Sequence, residues 1–262
     1  KDMLGTLRLG LQLQEDHVLA ARAAGQDLQL GAFLALLQWL QREHPPADVL
    51  ARTQPAAAAL WGLHQPFGRT IEAERRWSEA SAADLAAGGA NNRAFQGMNG
   101  AQIKAVVASF KKQADQVYQA ELKASTSPDF EALAKTELSI ARAHVHRTPV
   151  AATPSFVAER LVALLVPSFS HAWQDDQVGQ VELRALPVLF ALKRYQSQHH
   201  AWPKKAPAPP PDPFGAGPLK YYVSSHGCVL YSVGPDHHDD GGLHELTDYV
   251  RIQGKDIVMR LP

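Results

Sequence analysis

Cysteine is almost missing from this sequence. The single Cys228 excludes an intrachain disulfide, and its place in the apolar run Cys228-Val229-Leu230-Tyr231 makes it a small buried hydrophobe. A nucleophilic cysteine needs a neighbour that stabilises its thiolate, and the flanking residues supply none. Long apolar runs are missing too: no stretch reaches the roughly 18 residues that a membrane-spanning helix needs. Net charge is absent, with 26 Lys plus Arg against 26 Asp plus Glu, so no overall field draws nucleic acid or an anionic bilayer. The basic doublets Lys111-Lys112 and Lys204-Lys205 are short and lack interleaved aromatic residues, which reads as solvated surface. His-Glu-x-x-His, Gly-x-Ser-x-Gly, P-loop and Gly-x-Gly-x-x-Gly patterns are all lacking. That removes the commonest metalloprotease, hydrolase and nucleotide-binding chemistries.

What is present is a folded chain. Its 262 residues, 45% hydrophobic and 20% charged, suffice for one large or two smaller domains and argue against wholesale disorder. The first part reads as helices. Leu4, Leu7, Leu11 and Leu13 begin one that closes at Val18-Leu19-Ala20-Ala21; residues 28–40 form a second, apolar on more than one face and ended by His44-Pro45-Pro46. Asp48 is a candidate N-cap for a third over the alanines 56–59. Thr70 opens a fourth over 71–87, with Glu72–Arg76 and Arg75–Glu79 at ion-pair spacing on its exposed face. The glycine-rich stretch 88–100 is a loop long enough to move. Helices follow over about 101–124 and about 127–144, then over 155–195 with interruptions at Pro167 and Pro187. Stacked in pairs, they suggest a bundle or a solenoid, although no tandem repeat period survives inspection.

The proline-rich, extended linker 203–213 leads into strands at 219–223 and 228–233, joined by the hairpin turn Ser224-Ser225-His226-Gly227, and a last strand at 256–261. The fold class is therefore α+β: a helical domain over 1–150, then a domain over 151–262 built of a long helix and a small antiparallel sheet.

One stretch concentrates chemistry. In the loop 234–242, Asp236, Asp239 and Asp240 fall within five residues, bracketed by glycine and proline. Calcium takes about 6–8 oxygen ligands from carboxylates, carbonyls and water. These three side chains, the Ser232 hydroxyl and main-chain carbonyls from Leu230 onward offer such a set, and a divalent ion removes the repulsion among the carboxylates. Zinc through His237 or His238 is an alternative, because imidazole suits transition metals. A solvated Asp-Asp-Gly-Gly turn without metal is another.

The order of short motifs around this loop is that of a known family. Leu-Lys-Arg-Tyr at 192–195, Trp-Pro at 202–203, Asp-Pro-Phe-Gly at 212–215, Leu219-Lys220-Tyr221, the run from Val229 to Asp236 and Asp239-Asp240-Gly241-Gly242 follow one another. Together they resemble the C-terminal globular part of the major pseudopilin of type II secretion. The resemblance covers roughly residues 180–262 and implies a helix, a small antiparallel sheet and a calcium-binding loop. The whole chain is also similar to uncharacterised bacterial proteins with a membrane anchor, a helical region and a pseudopilin-like tail ending in a string like Asp256-Ile257-Val258-Met259-Arg260. That likeness implies a periplasmic or otherwise extracytoplasmic place, anchored by a segment upstream of Lys1, with other envelope, secretion or pilus-type proteins as partners and no nucleic acid. Two departures stand out. About 180 helical residues precede the tail, so the chain is not expected to be a fibre subunit, and His237 and His238 stand where glycine and a small polar residue are usual.

Three functions compete. The expected one is a non-enzymatic envelope assembly or scaffold protein with a calcium-stabilised tail. The second is a helical protein- or peptide-binding module with a groove lined by Trp39, Trp61 and Trp77, since exposed aromatics mark interfaces. The third is a metal-dependent hydrolase using His144, His146, His199, His200, His237 and His238, although His199-His200 suits a helix C-terminus, where cations meet the dipole.

Overall fold

The computed structural model describes residues 2–16, 18–126, 135, 137, 153–243 and 255–262; His144, His146 and most of the helix expected at 127–144 lie outside them. Seven helices are described: α1 (Met3–Leu13), α2 (Leu19–Arg42), α3 (Ala47–Ala59), α4 (Gly68–Ala87), α5 (Gly100–Ser125), α6 (Pro154–Leu165) and α7 (Ser170–His199). Three strands follow, β1 (Lys220–Ser224), β2 (Gly227–Ser232) and β3 (Ile257–Leu261). The chain is mostly helical with one small antiparallel sheet, the α+β class expected. No helix among the described residues is long and apolar enough to cross a membrane.

The contacts draw two compact units. Unit 1 comprises Lys1–Asp16, Ala20–Gln65 and Gln174–Pro262, and unit 2 comprises His17–Leu19 and Pro66–Trp173. This differs from a boundary near residue 150, because the N-terminal helices share a core with the sheet rather than with α4 and α5. Within unit 1, Leu7, Leu11, Phe33, Leu36, Leu37 and Leu40 from α1 and α2 join Val181, Leu186, Leu189 and Phe190 from α7 and Leu230 and Met259 from the sheet in one buried cluster. Buried α2 residues recur every three or four positions, from Arg22 and Gly25 through Gln29, Ala32 and Phe33 to Leu36, Leu37 and Leu40, the stripe that lets a helix cover a core. Arg22 meets Asp176, Gln29 meets Gly179, and Trp39 meets Phe190. The pairing climbs in register, so α2 and α7 run parallel and end at the same pole of unit 1.

The sheet is a meander in the order β1-β2-β3. Ser224 pairs with Gly227 across the expected two-residue turn, and Leu230 stands between Tyr221 and Met259. β2 is buried along almost its whole length, as a central strand covered on both faces should be.

Unit 2 packs Phe67, Ile71, Phe95, Val106, Phe110, Tyr118, Leu161, Phe169 and Trp173 into a second core. The Tyr118 hydroxyl donates to Ser78 and to the Glu74 carbonyl, so this buried polar group is satisfied.

Several local expectations change. The first helix stops at Leu13 and the chain restarts at Leu19. Gly10 and Gly25 face each other there, and a Cβ on either would collide with the other's carbonyl, so two helices cross where one longer helix looked plausible. Asp48 lies inside the first turn of α3, paired with Arg52, and the cap position is Pro46. α4 begins at Gly68, ahead of Thr70, which is buried. Stretch 88–100 carries two short 3-10 turns and buries Phe95 and Met98, so apolar anchors hold what composition alone reads as a mobile loop. Pro167 does separate two helices, whereas Pro187 sits inside α7 without ending it.

Candidate functional site

The acidic loop leaves the end of β2 through a turn that only glycine fits. Gly234 has φ +71°, and a Cβ there would run into the Lys255 carbonyl, an approach that excludes any side chain. Below the turn, Asp212 is the buried anchor. Its Oδ1 accepts from the Ser232 hydroxyl at 2.6 Å and from the Phe214 N–H at 3.0 Å, and its Oδ2 accepts from the Val233 N–H at 2.9 Å. Ser232 Oγ in turn accepts from the Gly234 N–H at 3.1 Å. Ser232 is therefore committed to the base of the loop. Leu230 is a fully buried core residue in the middle of β2.

The loop carboxylates divide the remaining work. Asp236 accepts from the His238 N–H at 3.0 Å, a local turn closed by its own side chain. Asp239 accepts from Lys220 Nζ at 2.7 Å, from the Tyr231 hydroxyl at 3.0 Å and from the Gly241 N–H at 3.0 Å. The Lys220 hydrogen bond, then that of the Gly241 amide, holds its carboxyl below the usual range. Asp240 lies 3.2 Å from His238 Nδ1. The far side of the loop is gathered by Asp256, whose carboxylate accepts from the Asp240 N–H at 3.3 Å and the Gly242 N–H at 2.7 Å. Burial pushes the Asp256 carboxyl up, and the two amides work against that. His237 takes φ +58° and places Nδ1 at the Phe214 carbonyl, 2.5 Å away.

So the structure brings Asp239, Asp240 and Asp256 to one loop, with Asp212 and Ser232 beneath it. Among the described residues no three His, Cys, Asp or Glu side chains stand together in position to hold a metal. Asp212 and Asp256 hold main-chain amides, and Asp239 holds an ammonium. The two aspartates that frame the loop were not among the ligand candidates read from sequence. For Asp256 the available signal was position, directly before a strand-like run where an unpaired main-chain N–H needs an acceptor; Asp212 ends the proline-rich segment and adjoins no strand.

Cys228 is buried, and burial raises its thiol to about 12, which agrees with an inert apolar role. Trp39 packs on the unit 1 core, Trp61 is 37% exposed in unit 1, and Trp77 is 54% exposed in unit 2, so no one unit holds all three. His199 ends α7 and lies against Tyr195, ring centroids 4.2 Å apart.

A second polar cluster had no counterpart in the sequence reading. Arg22, fully buried, donates to Asp176 Oδ1 at 2.5 Å and to the Gln65 carbonyl at 2.7 Å. His64 Nε2 lies 3.1 Å from the same Oδ1, and its ring stacks on Trp61 at 5.1 Å. Arg184 sits over that indole at 4.3 Å and reaches Gln180, which donates to Asp176 Oδ2. Burial opposes the Asp176 charge, but the Arg22 guanidinium and the His64 hydrogen bond hold its carboxyl below the usual range. Buried charge and hydrogen bonds tie the start of α2, the Gln65 backbone and α7 together like a clasp.

No family model matches the chain, and neither a curated protein nor a solved structure matches it.

Proposed function

We propose that this chain is a non-enzymatic protein of a bacterial cell envelope, an assembly or scaffold component whose last third is pseudopilin-like and is stabilised by calcium at the loop 234–242. One observation carries this reading. A long helix, α7, leads through a proline-rich segment into a three-stranded antiparallel meander, with an aspartate-rich loop directly after the middle strand. That is the order of parts the motif string implies. Asp236 and Asp240 are the residues to supply charge to a calcium ion, with Asp239 joining if it leaves Lys220. Zinc through His237 or His238 is the competing occupancy.

Thermal unfolding in EDTA, then with calcium, magnesium and zinc in turn, tests the site. The expected result is a rise in midpoint specific to calcium that disappears in Asp236→Asn/Asp240→Asn. A rise specific to zinc moves the site to the histidines, and no response to any ion ends the metal reading. The envelope assignment is tested apart from it, by fractionating cells that make the full-length protein. Recovery with cytosolic markers alone would overturn it.

A further inference from the structure

We infer, resting on the calcium reading of loop 234–242, that Lys220 is a built-in competitor for its cation: the ammonium and calcium hold the same oxygen of Asp239 by turns. Lys220 stands directly opposite Tyr231 in the β1–β2 register, so both side chains rise from the same face of the sheet. There they meet Asp239. The Tyr231 hydroxyl and the Gly241 N–H donate to Oδ1, each at 3.0 Å, while Oδ2 accepts from Lys220 Nζ at 2.7 Å. The carboxylate is thus divided. One oxygen is fixed to the sheet and to the loop's own backbone, and the other is given to a cation. Arg260, which also reaches the loop from the sheet, donates to the Gly242 carbonyl at 2.8 Å and leaves that oxygen to Lys220.

The link to Lys220 is exchangeable. The Lys220 and Asp239 side chains are 44% and 42% exposed, and an ion pair open to water is weak. A divalent ion and an ammonium repel each other at contact range, so calcium cannot share Oδ2 with Lys220. It takes that oxygen as the lysine swings into solvent, and Oδ1 keeps its two donors throughout. Asp236 and Asp240 are placed differently: the first accepts from the His238 N–H at 3.0 Å, and the second lies 3.2 Å from His238 Nδ1. Calcium affinity follows the number of carboxylates that reach the ion. Lys220 withholds the third of them until calcium is abundant, and so sets the concentration at which the loop fills.

The experiment is calorimetric titration of the full chain with calcium chloride, after EDTA treatment and buffer exchange. In water, a unit charge a few ångströms from a divalent ion changes affinity roughly tenfold. Lys220→Met therefore binds calcium roughly tenfold more tightly than the parent, and calcium raises its melting midpoint by more. Lys220→Arg keeps a cation in place and does not tighten binding. Tyr231→Phe frees Oδ1 without changing the charge, and it too binds no more tightly than the parent. Calcium binding by Lys220→Met alone supports the proposal, since the lysine then masks the site outright. Calcium bound by both parent and Lys220→Met, with the variant no tighter, overturns the competition and leaves the calcium reading standing. Equal tightening in Tyr231→Phe and Lys220→Met also overturns it, because loosening of Asp239 would then govern affinity. Absence of binding in every protein overturns both the competition and the calcium reading.

Discussion

Asp212 and Glu121 are both buried carboxyls with opposite standing. Asp212 is surrounded by donors, from Ser232, Phe214 and Val233, and removing it leaves several buried groups without an acceptor. Asp212→Ala is expected to destabilise unit 1 by about 3 kcal/mol, a fall in midpoint of roughly 9 °C. Asp212→Asn should do little better, because its amide N–H₂ would face the Val233 or Phe214 N–H. Full recovery in the asparagine variant would show that the carboxylate is not needed. Glu121 is buried in unit 2, with Oε2 unpaired among the described residues. Burial, then the Glu137 charge, raises its carboxyl to about 8. The sign follows from linkage. The unfolded chain releases this proton near the ordinary carboxyl range and the folded chain holds it to about 8, so stability falls as pH rises across that window. Glu121→Gln removes the ionisable group, and its melting midpoint should fall less between pH 5 and pH 8 than that of the parent, by about 4 °C or more. Parallel pH profiles for the two proteins would contradict this assignment.

Among the elements, the clasp shows most clearly what local sequence leaves out. The three strands, their hairpin turn and most helices could be read from periodicity, because each buries one face or one stripe against a core. Cys228 and Leu230 alternate with Val229 and Tyr231 to opposite faces of β2, and the cores separate them accordingly. Partnership between distant segments has no such local trace. Arg22 reads as one more helix-forming residue within Leu19-Ala20-Ala21-Arg22-Ala23-Ala24, although a lone cation in an alanine run hints that the helix is buried there. Its partner Asp176 lies 154 positions away. The loop was legible as aspartate-rich, but the division of labour within it was not, because Lys220 reaches it from β1 and Asp256 from the chain just before β3. Asp176→Asn leaves Arg22 buried without its counter-ion, at a cost of about 3–5 kcal/mol. His64→Gln keeps a neutral donor within reach and should cost much less. Equal losses by chemical denaturation would mean that the histidine, and not the ion pair, holds the clasp.

At the scale of the whole molecule, two separate cores predict two unfolding events. Calorimetry should resolve them, with Asp176→Asn moving only the unit 1 transition and Glu121→Gln only that of unit 2. One transition shifted by both variants would mean that the chain unfolds as a single cooperative block. The arrangement also sets a schedule for synthesis. Unit 2 is nearly continuous in sequence, so it can close soon after Trp173 leaves the ribosome. The helices of residues 3–59 cannot, since Val181, Leu186, Leu189 and Phe190, which cover their apolar stripe, are made more than 100 residues later. At about 5–20 residues per second that is an interval on the order of ten seconds in which Phe33, Leu36, Leu37 and Leu40 lack the cover that α7 supplies. A nascent chain stalled just after Trp173 has emerged would therefore carry one finished domain and a set of sticky helices, a natural client for a chaperone.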